Sequence, residues 1–151
     1  MILGWEEWIA LPELALPAIK AKVDTGAKTS ALHASSIERI GPPGQESARF
    51  IIRPAPRRAE IAVTCTAPIV DMREVTSSNG EREYRPVIVT MLRIAGQSWP
   101  IEVTLTNRES MGYRMLIGRQ ALREGLLVDP SVSFHQPRLS YRLYGAKRRR
   151  K

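Results

Sequence analysis

Asp24, Thr25 and Gly26, followed by Ala27 and Lys28, set a carboxylate, a hydroxyl and a glycine in succession at the end of an alternating stretch, Ala18-Ile19-Lys20-Ala21-Lys22-Val23. The stretch reads as a strand and the tripeptide as the turn that ends it, so one carboxylate is delivered to a strand-to-turn junction. The chemistry that suits such a carboxylate is amide hydrolysis by a carboxylate pair. Two carboxylates about 3 Å apart cannot both ionise, so they share a proton; the ionised member activates a water and the protonated one polarises the scissile carbonyl. Such a pair titrates as a unit. Thr25 offers a hydroxyl to bond across the pair and hold it coplanar, and Gly26 leaves room for backbone amides to approach. The chain has one such tripeptide in 151 residues, too few for a duplicated two-lobe form. The second carboxylate is therefore expected from a second copy of the chain, in a twofold homodimer.

About ninety residues on, Arg114-Met115-Leu116-Ile117-Gly118-Arg119 has the apolar-apolar-Gly form that packs beneath the catalytic loop in retroviral-type aspartic proteases. The segments KAKVDTGAKTSALHA (20–34), WPIEVTLTNRESMGYRMLIGRQAL (99–122) and LVDPS (127–131) resemble the ATP-dependent zinc protease family, and the likeness runs over roughly residues 5 to 135. The resemblance implies a retropepsin-like fold with Asp24, Thr25 and Gly26 as the catalytic turn. It also implies association with RimK-type ATP-grasp ligases, which add glutamates to the C-terminus of a ribosomal protein. A peptidase acting opposite such a ligase, on oligo- or poly-α-glutamate, follows as the expected activity.

Cations near the two motifs suit that substrate. Lys28, two residues past Gly26, favours an ionised carboxylate nearby or binds a carboxylate of the substrate. Arg108, Arg114 and Arg119 lie in or beside the second motif, and an arginine fork matches a carboxylate bidentately. Asn107 is a candidate to position a carbonyl, and Arg73 and Arg85 are further candidate contacts. For each cation a structural ion pair is the competing reading. The alternatives of function are a zinc-dependent peptidase and a catalytically silent module that holds the ligase or the ribosome.

Catalytic zinc needs three protein ligands and an open position. The chain has His33 and His135 but no His-Glu-x-x-His helix, so no metal ligands are assigned. Neither a phosphate-binding Gly-x-x-x-x-Gly-Lys-Ser/Thr loop nor a dinucleotide fingerprint is present, and no cofactor is expected; ATP belongs to the ligase.

With 43% hydrophobic residues the chain is expected to form one domain, residues 1–144, and a basic disordered tail, residues 145–151. Lys147 to Lys151 supply five of the net eight positive charges, so any contact with nucleic acid is expected through that tail. No apolar run reaches the length that spans a bilayer, and acidic residues stand where a signal peptide carries basic ones. The expected location is the cytoplasm, without membrane attachment. Lone Cys65 fits a reducing compartment and a buried strand position.

Along the chain, strands are expected at Trp5 to Leu11, Ala18 to Val23, Ala48 to Arg53 and Glu60 to Ala67, with a turn or strand start at Thr29 to His33. Val70 to Thr76 and Arg82 to Met91 flank Ser77-Ser78-Asn79-Gly80, a hairpin signal, and this hairpin is the candidate flap over a bound peptide. Leu92 to Ile94 and Trp99 to Thr106 form another hairpin through Ala95-Gly96-Gln97. Gly118 is expected at a close backbone approach, Arg119 to Glu124 as a short helix ended by Gly125, and Leu126 to Val128 and Ser131 to Phe134 as closing strands. The fold class is all-β: a small closed barrel of retropepsin type, with one flap hairpin and one short helix.

Overall fold

The computed structural model describes residues 1–76, 80–107, 112–123 and 125–148. The strands are β1 (Ile2–Leu3), β2 (Glu6–Leu11), β3 (Leu16–Asp24), β4 (Ser30–His33), β5 (Ser35–Ile40), β6 (Ser47–Ile52), β7 (Val63–Pro68), β8 (Asp71–Thr76), β9 (Arg82–Ile94), β10 (Gln97–Thr106), β11 (Met115–Gly118) and β12 (Leu127–Val128). One α-helix, α1, covers Arg142–Arg148.

The main sheet runs β10-β4-β11-β3-β2-β9-β8, and β9 also pairs with β10. That extra pairing closes six strands into a ring and leaves β8 outside, on β9. Closure removes sheet edges that would otherwise present unpaired amides. The ring is filled by the inward side chains of alternating strands: Ile19, Ala21 and Val23 of β3, Ile88, Leu92 and Ile94 of β9, Ile101, Val103 and Leu105 of β10, and Ile117 of β11. Ala95 and Gly96 both take positive φ, 52° and 82°, the type I′ turn that matches the right-handed twist of β9 and β10. A second sheet, β5-β6-β7, adds buried Phe50, Ile52 and Cys65 to the same core. The small all-β barrel expected from turn spacing is the fold observed.

Several elements differ from expectation. The residues of β5 give no clean alternation, and Ser36 takes φ 52° where the register slips between Ser35 and Glu38. The strand is held by its antiparallel pairing with β6, and exposed ion pairs Arg49–Glu38 at 2.9 Å and Arg39–Glu46 at 2.8 Å lie beside it. Strand β7 starts at Val63 because Arg58 to Ile61 close a turn, with Ile61 N–H donating to the Arg58 carbonyl. The helix expected over Arg119 to Glu124 is a single 3-10 turn, Arg119–Ala121, and the α-helix lies instead at Arg142–Arg148, within and just before the expected tail. Tyr144 docks it: its hydroxyl donates to the Ala18 carbonyl at 2.6 Å and accepts from the Ala18 amide at 3.3 Å.

Ser131 to Phe134 is not a strand. Asp129 Oδ1 accepts from both the amide and the hydroxyl of Ser131, which curls the chain, and two backbone bonds, Trp5 N–H to Val132 O and Phe134 N–H to Glu6 O, then lay it against β2. Glu7 completes that junction. It is fully buried, and its carboxylate accepts backbone N–H bonds from Gly4, His135 and Gln136 at 2.7, 2.9 and 3.0 Å.

Candidate active site

Asp24 is the last residue of β3, and there β11 lies parallel to it, pairing Gly118 with Asp24. The turn is closed by its own backbone. Gly26 N–H donates to Asp24 Oδ1 at 3.0 Å, and Ala27 N–H to the Asp24 carbonyl at 3.1 Å. The Gly26 amide fixes the orientation of the carboxylate. Thr25 and Gly26 are exposed and Asp24 half-buried, so the turn presents its carboxylate and hydroxyl outward.

The turn rests on the second motif. Arg119 N–H donates to the Ala27 carbonyl at 2.8 Å and Gln120 N–H to the Lys28 carbonyl at 3.2 Å. Gly118 N–H donates to Ser30 Oγ at 3.1 Å, and Thr104 Oγ1 donates to the Ser30 carbonyl at 3.0 Å. Gly118 must be glycine for space: a Cβ there would lie 2.5 Å from the Thr29 carbonyl oxygen and 2.6 Å from its carbon. The close backbone approach expected of Gly118 is thus made against the strand that leaves the Asp-Thr-Gly turn.

The expected binding residues do not all gather at Asp24. Lys28 is exposed beside the turn, and Arg119 Nη1 donates to the Gly26 carbonyl at 3.2 Å, so these two stay with it. Arg114 precedes β11 and sends Nε to the Arg53 carbonyl at 2.9 Å, on the loop between β6 and β7. Asn107 is exposed at the end of β10, its carbonyl 3.1 Å from His33 Nε2, which carries the proton of that contact. Arg73 bridges Glu102 at 3.0 Å and Asp71 at 3.1 Å, and those partners raise its pKa, the Glu102 hydrogen bond most. Arg85 is 8% exposed, 3.5 Å from both Glu83 Oε2 and Thr104 Oγ1. Arg108 lies outside the described residues, as do Ser77 to Asn79 of the expected flap turn.

The hairpin of β8 and β9 forms, from Asp71 paired with Val87 to Thr76 paired with Arg82. Ser30 pairs with Val103, and Val103 with Ile88. The Asn-Gly signal identifies a hairpin; how its strands join the ring depends on β9 pairing with β10 and β2.

Residues passed over in the sequence lie nearer. On β3, Ile19, Ala21 and Val23 face the core, so Lys20, Lys22 and Asp24 share the opposite face. Lys22 stands between Glu6 of β2 and Leu116 of β11. Tyr113 reaches over from the approach to β11, its hydroxyl donating to Glu6 Oε1 at 2.6 Å and its ring edge-on to Trp5 at 6.3 Å. Burial, then the Glu6 bond, push the Tyr113 pKa up to about 12. The period-two alternation that marks the strand was the available signal for Lys22.

Among the described residues no three of His, Cys, Asp and Glu gather as metal donors. The zinc of the resembling family's name therefore finds no ligand set there, and no step is derived through it. Also among those residues, no helix is long and apolar enough to cross a membrane.

A closed six-stranded ring with one Asp-Thr-Gly turn seated on an Ile-Gly strand defines a retropepsin-like fold. A family model described as "RimB-like: Retropepsin-like aspartic endopeptidase RimB" matches residues 2–139, and the chain belongs to that family. It is 48% identical over 133 residues to a protein of Shewanella pealeana and 44% identical over 131 residues to one of Desulfotalea psychrophila, each named "Probable alpha-L-glutamate ligase". These alignments cover 88% and 87% of the chain but 29% and 28% of the relatives, so the chain spans less than a third of their length. A crystal structure of Lpg0085, a Legionella pneumophila protein of unknown function, superposes with a TM-score of 0.73 at 30% identity, covering 89% of this chain and 96% of that one.

Proposed function

We propose that the chain is an aspartic-type endopeptidase that hydrolyses α-linked oligo- or poly-glutamate. The observation that carries this is the Asp24 turn: an outward carboxylate oriented by the Gly26 amide and seated on Gly118. The second carboxylate is the Asp24 of a second copy, which the exposed Thr25 and Gly26 leave room to approach. The ionised carboxylate takes a proton from water as the water oxygen attacks the amide carbon, and the protonated one hydrogen-bonds the carbonyl oxygen. The tetrahedral intermediate then collapses, the C–N bond breaks, and the leaving nitrogen takes a proton from the pair. No covalent enzyme intermediate forms.

The glutamate specificity is supported by the relatives' printed names and by the basic residues beside the turn, Lys28 and Arg119. Those names belong to proteins about three times as long; the part this chain shares with them matches a retropepsin-like endopeptidase model and carries the Asp24 turn, and hydrolysis is the reaction assigned to it. Its partners would be a RimK-type ligase and the ribosomal protein that ligase extends, in the cytoplasm, with nucleic acid touched through the basic C-terminal residues alone.

The test is hydrolysis of poly-α-L-glutamate by the wild-type chain and by Asp24→Asn, each with and without chelator, with product lengths read by mass spectrometry. Chelator-resistant cleavage that vanishes in Asp24→Asn is the expected result. Cleavage that survives the substitution refutes the role of Asp24, and cleavage abolished by chelator refutes the aspartic mechanism.

A further inference from the structure

We propose that Thr104 is a positioning residue for the Asp24 turn, its buried hydroxyl fixing Ser30 so that the Gly118 amide stays seated beside Asp24. The consequence for turnover rests on the peptidase reading; the consequence for the turn is measured without substrate.

Three successive amides of the second motif hold the turn and the strand that leaves it. Gly118 N–H goes to Ser30 Oγ, Arg119 N–H to the Ala27 carbonyl and Gln120 N–H to the Lys28 carbonyl. The last two end on backbone. The first ends on a side chain, so its geometry depends on where Ser30 stands. Ser30 is 1% exposed and paired with Val103 of β10. Thr104, the next residue of β10, donates its hydroxyl to the Ser30 carbonyl at 3.0 Å, a side-chain tie added to the backbone pairing of the two strands.

Alternation along β10 puts the hydroxyl there. Trp99, Ile101, Val103 and Leu105 fill the core, so Pro100, Glu102, Thr104 and Thr106 take the other face. Pro100 and Glu102 are exposed, whereas Thr104 and Thr106 are 1% and 5% exposed. Both threonines meet side chains of β9: Arg85 Nη1 lies 3.5 Å from Thr104 Oγ1, and Thr106 Oγ1 donates to Glu83 Oε1 at 2.9 Å. A hydroxyl has one proton to give. Thr104 gives it across to β4, which carries Ser30, and Thr106 gives it to β9. Two threonines of like burial on one face thus tie different strands, and one of those strands leads to the catalytic turn.

Without its hydroxyl, position 104 leaves the buried Ser30 carbonyl without that donor, and Ser30 is free to shift. The Gly118 amide loosens with it. Gly118 is paired with Asp24, and a carboxylate pair shares its proton only across about 3 Å, so a loosened seat lowers the rate of the chemical step. Thr104 itself is buried, and its loss acts on kcat rather than on substrate affinity.

The test sets Thr104→Val, which keeps the shape and removes the hydroxyl, and the smaller Thr104→Ala beside Thr104→Ser and Thr106→Val. Circular dichroism checks that each variant is folded. Amide hydrogen exchange is followed residue by residue by NMR, and kcat and KM are measured on poly-α-L-glutamate. Thr104→Val and Thr104→Ala are expected to speed exchange at Gly118, Arg119 and Gln120 about tenfold relative to the amides of β6 and β7. They lower kcat about tenfold, less than a full 1 Å misplacement would, with KM unchanged. Thr104→Ser retains the wild-type values. Thr106→Val lowers Tm, as loss of a buried hydrogen bond must, without the local exchange or the fall in kcat. In a Ser30→Ala chain, where the Gly118 amide has already lost its acceptor, Thr104→Val adds little to either effect.

Unchanged exchange at the three amides, or the same changes in Thr106→Val, overturns the role of Thr104. So does an effect of Thr104→Val that is as large in the Ser30→Ala chain as in the wild type. Local loss of protection with kcat unchanged confines Thr104 to the fold and also overturns the proposal. Local loss of protection without hydrolysis by the wild-type chain leaves the hold on the turn standing and refutes the peptidase.

Discussion

Gly118→Ala probes the joint between the two motifs. Gly118 has φ −85°, a backbone any residue adopts, so the effect is one of space alone. The added Cβ would meet three backbone atoms of Thr29, at 2.5, 2.6 and 2.9 Å. An ordinary carbon contact begins near 3.5 Å, so β11 and the start of β4 must separate by about 1 Å. Neither can yield by a rotamer change, since β11 is paired on both sides and Ser30 is bonded to Gly118 and Thr104. Overpacking against a fixed backbone costs about 3 kcal/mol, toward the upper end of such insertions, which for a chain of this size lowers Tm by about 6–12 °C. The displaced strand also carries the Asp24 turn, and a 1 Å misplacement at a reacting centre costs about a hundredfold in rate. The assay is a thermal melt beside kcat/KM on poly-glutamate. Gly145→Ala is the control, because no atom lies within 4 Å of the Cβ it adds and the position is helical. A Gly118→Ala chain that melts within about 1 °C of its parent would refute the steric account of the joint.

Two further predictions concern the supports of the site. Glu7→Gln replaces a carboxylate that accepts three backbone amides with a group that opposes at least one of them. It is expected to cost about 2–3 kcal/mol, read as a lower urea midpoint, and an unchanged midpoint would show that the C-terminal segment does not depend on Glu7. Tyr113, with its pKa raised to about 12, should be missing from the ordinary tyrosine titration near pH 10 followed at 295 nm; burial raises Tyr141 and Tyr144 as well, so Tyr113 is read from the difference between the wild-type and Tyr113→Phe curves, expected to rise only toward pH 12. The sign follows from the raised value: its contribution to stability is full below the unfolded tyrosine range and is lost as pH climbs toward 12. A difference curve with its midpoint near pH 10 would refute the Glu6 bond in solution.

The sequence alone determined the features that local chemistry sets. Asp24-Thr25-Gly26 ends a strand because the Gly26 amide and the Asp24 carboxylate satisfy one another within three residues, and Gly118 closes a short apolar run, Met115 to Ile117, that reads as a core strand. The two hairpins around residues 77–80 and 95–97 were legible because each closes through neighbouring residues, and an all-β class follows from turns at short intervals. Tertiary structure decided the rest. Strand β5 exists because β6 offers it a backbone ladder, and Ser131 to Phe134 fails as a strand because Asp129 captures the Ser131 amide and hydroxyl. The hairpin after Thr76 was readable, yet the place of its strands in the barrel was not, since β9 pairs with β10 and β2 as well as with β8. For the same reason Glu6, Tyr113 and Leu116 could not be assigned to the Asp24 face from their own surroundings in sequence. They converge on Lys22 only when β2, β3 and β11 lie side by side, a register fixed by which residues the closed barrel must bury.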